Sequence, residues 1–296
     1  MTTARTHDVV LFGATGFTGA LTAEYLARVA PEGCRWALAG RNRGKLEALR
    51  TELTAIDGKL AELPLLHADA TDAGSLREVA ASAKVVISTV GPYVEHGEPL
   101  VAACADTGTD YVDLTGEPEF TDRMYVAHDA RARETGARLV HACGFDSIPH
   151  DLGAYFTVRQ LPEGVPLKVD GYVRAGGSPS GGTFLSVLTI LSRLPAGARA
   201  AKARAQAEPR PSGRRVHLPA GKPHRIDDLW AVPLPTIDPQ IVGRSAAALQ
   251  RYGPDFTYRH FAGVKHLPTV AAGAIGLGAL FAAAQVKPLR SALSSL

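Results

Sequence analysis

Short apolar runs alternate with longer amphipathic stretches from residue 7 to about residue 145. The runs fall at 8–12, 35–39, 62–67, 84–89, 110–114 and 138–142. Unbroken apolar triplets such as Val85-Val86-Ile87 mark strands covered on both faces rather than strands with one wet side. Between them the spacing of apolar residues predicts helices near 19–29, 44–56, 72–81, 97–107 and 118–135. Asp72 stands where it can cap the third helix, and Gly108 and Gly136 stand where helices stop. Strand and helix in strict alternation predict an α/β fold, a Rossmann-type doubly wound parallel sheet. With right-handed crossovers, the carboxyl ends of strands one, two, three, four and six share one crevice.

Beyond residue 155 the pattern changes. Residues 167–175 alternate like a half-exposed antiparallel strand, and a Gly/Ser/Pro turn at 176–183 opens an apolar helix at 184–194. A further strand is expected at 229–235, followed by an aromatic-bearing stretch at 252–261. The chain therefore reads as a first domain over 7–155 and a second, smaller α+β domain over 156–296. Residues 269–286 hold no charge and are flanked by Lys265, His266, Lys287 and Arg290. Their Ala and Gly content contributes little to membrane insertion, so the expectation is a buried or interfacial helix with peripheral membrane contact.

Charge alters this picture at one place. The net charge is +3, yet residues 195–225 carry eight Lys or Arg against Glu208, about +7. Their Pro, Gly and Ala content predicts an exposed basic loop. It lacks interleaved aromatics, so no nucleic-acid partner is expected. The three cysteines, Cys34, Cys104 and Cys143, are far apart, and the histidines show no ligand spacing. Neither a disulfide framework nor a metal is expected. A polar start leading straight into the first strand predicts no secretory leader and a cytoplasmic location, peripheral at the inner face of the plasma membrane if 269–286 is interfacial.

The chemistry is concentrated at strand exits. Strand one runs into Gly13-Ala-Thr-Gly16-Phe-Thr-Gly19. Gly13 permits the sharp turn, Gly16 lets a pyrophosphate approach the backbone, and Gly19 permits close helix–strand packing. Thr15, Phe17 and Thr18 lie in the same cradle, and the amides of the following helix point at the phosphates. About twenty residues on, where an NAD site places a carboxylate, the chain has Arg41 and Asn42, with Lys45 one turn later. A guanidinium there suits a 2′-phosphate, so the cofactor inferred is NADP(H).

Other exits add candidates. Asp69 is placed to accept from the adenine amine or else to cap the next helix. Val90-Gly91-Pro92 lets backbone run beside the nicotinamide ribose. Strand six leaves through Cys143-Gly144-Phe145-Asp146-Ser147, unusually polar for such a place. Proton-donor candidates are Tyr93, His96 and Asp146, with Glu117, Ser147 and His150 beside them; for each a cap or a satisfied structural role is the competing reading. None of the eight tyrosines has Lys four residues on, which disfavours the Tyr-x-x-x-Lys chemistry of short-chain dehydrogenases.

Five motifs in order, Gly13–Gly19, Ala39-Gly-Arg-Asn42, Ser88-Thr-Val-Gly-Pro-Tyr93, Tyr111-Val-Asp-Leu-Thr-Gly-Glu117 and Gly144-Phe-Asp-Ser-Ile-Pro-His-Asp151, resemble the saccharopine dehydrogenase-like oxidoreductases, and within them the trans-acting enoyl reductases of polyketide-derived lipid synthesis. The resemblance implies an NADP-binding Rossmann domain followed by a substrate and dimerisation domain, hence a homodimer. Members usually continue past the apolar segment, so a C-terminally shortened second domain is expected. Three functions follow: an NADPH-dependent enoyl reductase acting on a small-molecule or carrier-bound acyl substrate, a saccharopine-type imine reductase on an amino acid, and an inactive NADP-binding sensor or scaffold.

Overall fold

A computed structural model describes residues 5–145, 147–174, 181–209 and 213–285. Two compact units emerge, Met1–Thr115 with Phe120–Cys143 and Gly116–Glu119 with Gly144–Leu296.

In the first unit six parallel strands, β1 (His7–Phe12), β2 (Trp36–Gly40), β3 (Leu65–His67), β4 (Ala83–Ser88), β5 (Asp110–Asp113) and β6 (Leu139–Val140), lie in the order β3-β2-β1-β4-β5-β6. This is the doubly wound arrangement expected, with its switch point between β1 and β4. The helices are α1 (Phe17–Val29), α2 (Arg43–Thr54), α3 (Ala73–Ser82), α4 (Tyr93–His96), α5 (Glu98–Thr107) and α6 (Pro118–Thr135). Alternating side chains explain the unbroken apolar runs: Val10 and Phe12 pack with Val86, Leu100, Phe120 and Met124 on one face of the sheet. Leu11 packs with Leu38, Leu46, Leu49 and Leu53 on the other. Asp72 caps α3 by accepting from the Gly74 amide at 2.9 Å, and Gly108 ends α5 in a left-handed conformation.

Two strands are shorter than their apolar patterns suggest. Gly58–Glu62 is a 3-10 helix that takes the start of the third run, with Asp57 accepting from Lys59 N. The sixth strand stops at Val140 because the Asp113 side chain captures the next amide, that of Ala142, at 2.9 Å.

The second unit begins with α7 (Ile148–Arg159), which packs on α10 (Asp238–Ala248) and on β7 (Leu167–Val173). By compactness the second unit takes in Gly144–Leu296 with Gly116–Glu119. Its sheet also contains β8 (Arg215–His217), β9 (His224–Ile226), β10 (Leu229–Pro233) and β11 (Asp255–Val264), ordered β7-β11-β10-β9 with β8 paired to β11. The apolar filling comes from Val158, Leu167, Val169, Val242, Tyr252, Phe256 and Tyr258.

Two expectations need correction here. β7 runs parallel to β11, with Tyr258 opposite Val169, whereas its alternation had suggested an antiparallel partner. Period-2 alternation reports a half-covered face and carries no information on strand direction. Residues 195–225 are not one loop: they include most of α9 (Leu194–Ala207) and the strands β8 and β9. Several basic side chains there are engaged. Arg204 is buried with its Nε 2.9 Å from Glu208, and Arg214 donates to the carbonyls of Ala247 and Leu249 at the end of α10. The apolar helix at 184–194 is observed as α8 (Gly181–Ser192), and 269–286 as α11 (Leu267–Gln285). No helix among the described residues is long and apolar enough to cross a membrane.

Candidate functional site

The glycine turn is built by close approach. Gly13 has φ +83°, and a Cβ on it would stand 2.6 Å from Val90 Cγ2 and 2.8 Å from Thr89 Oγ1. A Cβ on Gly19 would stand 2.1 Å from the Gly13 carbonyl oxygen, so α1 sits directly against the turn. Thr89 fastens the turn from β4, its hydroxyl donating to the carbonyls of Phe12 and Gly13 at 3.1 Å each. Gly16 differs from both. A Cβ there would meet only the Gly13 oxygen, at 3.4 Å, and the exposed residues Thr15 and Phe17 flank it. Nothing inside the protein requires glycine at 16, whereas a phosphate lying on the backbone does.

Helix α1 also leaves its N-terminus open to an anion. α2 is capped by Asn42, which accepts from Lys45 N at 3.0 Å, and α3 by Asp72. α1 begins at Gly16 with no side-chain cap and no acidic residue in its first turn. Its first amides, at Phe17, Thr18 and Gly19, are placed for phosphate oxygens and carry the positive end of the helix dipole.

Next to this turn β2 ends at Gly40, whose carbonyl takes the Ala68 amide at 3.2 Å, so the residues following β2 and β3 lie side by side. Arg41 and Lys45 are exposed and in no ion pair among the described residues. Arg43 is instead occupied by Glu47 and by the Leu65 carbonyl. Asp69 is half-buried and accepts from the amide and hydroxyl of Thr71 at 2.9 and 2.8 Å; it does not cap the helix, a role Asp72 fills. These hydrogen bonds, with the Thr71 amide foremost and Arg41 contributing, hold its carboxyl below the usual carboxylate range. Asn42 serves as a helix cap whatever else it touches.

The donor candidates separate. Tyr93 is a core residue, its hydroxyl donating to the Ser88 carbonyl at 3.0 Å and its ring against Phe120 at 5.6 Å. That position is the satisfied structural role weighed against proton donation for Tyr93. His96 ends the short α4 with its side chain 42% exposed, near Glu95. Val90, Gly91 and Pro92 form the backbone between β4 and α4. Asp146 lies outside the described residues. Gly144 belongs to the second unit, where its carbonyl accepts the Ser147 and Ile148 amides at 3.2 and 3.0 Å and starts α7. Ser147 sits at the N-cap of α7 without a side-chain cap bond, its buried hydroxyl having no partner among the described residues. Glu117 is buried and accepts from the Ser186 hydroxyl at 2.8 Å.

Two arrangements escaped sequence reasoning. At the ends of β5 and β6, Asp113 accepts the amides of Thr115 and Ala142 at 3.0 and 2.9 Å and meets Nδ1 of His141 at 2.7 Å. The imidazole is wedged edge-on against Phe120 and Tyr111. Ala142, at φ +59°, is held in a backbone region that L residues rarely take. The available signal was the polar exit of strand six together with the Tyr111–Glu117 motif, whose side chains meet only in the fold. In the second unit His150, Asp238 and His260 come together, although the expectation of no metal-ligand set had rested on spacing along the chain.

Comparison with known proteins agrees with the geometry. Residues 9–140 match the saccharopine dehydrogenase NADP binding domain. The trans-acting enoyl reductase of Mycobacterium leprae is 48% identical over 159 residues, 54% of this chain and 37% of that one. A relative in Mycobacterium tuberculosis is 49% identical over 195 residues, 64% of this chain and 45% of that one. The chain thus spans less than half the length of these curated relatives. Among solved structures, saccharopine dehydrogenase (L-Glu forming) of Saccharomyces cerevisiae aligns at 22% identity and a TM-score of 0.44, covering 63% of this chain and 41% of that one. The turn, the open helix end and Arg41, which has no ion pair among the described residues, all lie within residues 9–140, the stretch similar to the saccharopine dehydrogenase NADP binding domain.

Proposed function

We propose that the protein is an NADPH-dependent enoyl reductase that reduces the C=C bond of an acyl thioester presented by another protein or by a pantetheine carrier. The observation that carries the reading is the uncapped start of α1 behind Gly16, beside the exposed, unpaired Arg41. It offers separate seats for a pyrophosphate and a 2′-phosphate. Bound there, NADPH would supply the hydride for one carbon of the double bond, and a proton would go to the other. Residues Gly13–Gly19, Arg41 and Lys45 would hold the cofactor, while Val90-Gly91-Pro92 would run beside its nicotinamide end. Of the three donors read from strand exits, His96 is the exposed one in the first unit. The name trans-acting enoyl reductase carried by relatives at 48–49% identity supports both the reaction and a separate carrier of the acyl chain.

The test is a fluorescence titration with NADPH followed by turnover with a trans-2-enoyl thioester of coenzyme A and, separately, a 2-oxoacid with an amino acid. Consumption of NADPH with the enoyl thioester alone is the expected result. Consumption with the oxoacid and amine alone overturns it in favour of imine reduction. Tight binding without turnover on either points to a non-catalytic NADP sensor.

A further inference from the structure

The second unit gathers three metal-ligating side chains from distant parts of the chain. His150 lies in the first turn of α7, Asp238 opens α10 and His260 sits within β11. One ligand atom from each falls within 4.8 Å of the others. His150 Nε2 is 3.5 Å from Asp238 Oδ1, and His260 Nε2 is 3.7 Å from Asp238 Oδ2. The two imidazoles stand edge to face, 4.8 Å between centroids.

Hydrogen bonding within the protein does not account for this cluster. Asp238 and His260 are each only 2% exposed, yet Asp238 Oδ1 and His260 Nε2 have no hydrogen-bond partner among the described residues. Buried polar atoms in that state are costly, and two of them belong to this one cluster. The separations are too long for an imidazole–carboxylate hydrogen bond. They are close to the spacing of two ligands about a common zinc-sized ion, roughly 3.3 Å for bonds of about 2.0–2.1 Å in tetrahedral geometry.

The surroundings aim these atoms inward. The Thr236 hydroxyl donates to Asp238 Oδ2, while Oδ1, 3.5 Å from His150 Nε2, has no donor among the described residues. His260 Nδ1 lies 2.9 Å from the Tyr258 hydroxyl. With Nδ1–H donating to that oxygen, Nε2 presents its lone pair, the tautomer a ligating histidine needs. Room for this outer bond comes from Gly171 on β7, where a Cβ would fall 2.3 Å from the Tyr258 oxygen and 3.3 Å from His260 Nδ1.

We propose that His150, Asp238 and His260 form a binding site for a divalent transition-metal ion of the zinc class. Two imidazoles and one carboxylate suit Zn²⁺ or Co²⁺, whereas Mg²⁺ and Ca²⁺ favour all-oxygen sites. The His150 side chain is 14% exposed, so entry and a further coordination position lie on its side. The ion ties the starts of α7 and α10 to β11.

The test uses the full chain without a histidine tag, stripped with chelator, then reloaded with excess Zn²⁺ or Co²⁺ and dialysed. Expected are one equivalent of bound zinc by elemental analysis and visible ligand-field absorption on adding Co²⁺. A rise in melting temperature should follow Zn²⁺ but not Mg²⁺. Asp238→Asn and His260→Asn should each weaken zinc binding at least a hundredfold, and Tyr258→Phe roughly tenfold. The cobalt spectrum needs no variant, so a misfolded mutant leaves the proposal open to refutation. Zinc well below one equivalent, a featureless cobalt spectrum, or wild-type zinc affinity in a folded Asp238→Asn protein overturns it. In that case Asp238 is a carboxylate shared between two histidines without a metal.

Discussion

Oδ2 of Asp113 lies 2.7 Å from Nδ1 of His141, joining the ends of two neighbouring strands through a carboxylate with no solvent exposure. The same carboxylate accepts the amides of Thr115 and Ala142. Asp113→Ala removes the acceptor of both amides and the partner of His141 Nδ1, leaving buried donors unpaired. The expected cost is about 2–4 kcal/mol in urea unfolding. A loss below about 1 kcal/mol would show that the cluster is not needed to hold the ends of β5 and β6.

Gly16 and Gly19 are predicted to fail in different ways. Gly19→Ala forces a methyl into the Gly13 carbonyl and should destabilise the first unit by about 3 kcal/mol or more. Gly16→Ala meets nothing closer than 3.4 Å and should leave thermal stability nearly unchanged. Its NADPH affinity should nonetheless fall at least tenfold, about 1.4 kcal/mol. Equal NADPH binding by folded Gly16→Ala and wild type would remove the pyrophosphate from this turn.

Arg41→Asp should reverse cofactor preference. Loss of the guanidinium and gain of a carboxylate disfavour the 2′-phosphate and favour a free ribose hydroxyl. The ratio of NADPH to NADH affinity should drop by two orders of magnitude, measured by parallel fluorescence titrations. An unchanged ratio would place the 2′-phosphate elsewhere.

The second sheet carries a pH signature. Asp170 on β7 faces Arg259 on β11, with Arg259 Nε donating to Oδ1 at 2.6 Å and a second bond from the other guanidinium nitrogen. The Arg259 hydrogen bonds hold the Asp170 carboxyl below its ordinary range, against the opposing effect of burial. A folded-state pKa lower than the unfolded one gives stability that is fully present above about pH 4–5. It is lost as pH falls through the folded value. Asp170→Asn should therefore cost about 1–2 kcal/mol at pH 7 and progressively less towards pH 3. A penalty independent of pH would attribute the loss to packing.

The first sheet was readable because each of its central strands is covered on both sides and announces itself as an unbroken apolar run; Val10, Leu11 and Phe12 show why, filling opposite faces in turn. The glycine turn was readable because backbone sterics leave few substitutes at Gly13 and Gly19. What escaped depends on side chains meeting across long stretches of chain. Asp113 shortens β6 by taking an amide that periodicity assigns to the strand. Tyr93 follows a promising Gly-Pro turn, yet its own strand's carbonyl claims its hydroxyl. Arg214 looked like a solvated loop charge because the carbonyls it serves lie at the far end of α10. Nothing in the local spacing of His150, Asp238 or His260 foretells their meeting.

β11 pairs with β7 along most of its length on one edge, while β8 and β10 divide the other. Its parallel neighbour β7 is made long before it, with three α-helices and three strands in between among the described residues. On a ribosome, then, β7 emerges without its main partner and waits until the chain has been polymerised past Val264. Its exposed strand edge is a natural client for a chaperone during that interval. The sheet of the first unit acquires its strands earlier and through closer crossovers, so the nucleotide-binding half should mature first and the second half last.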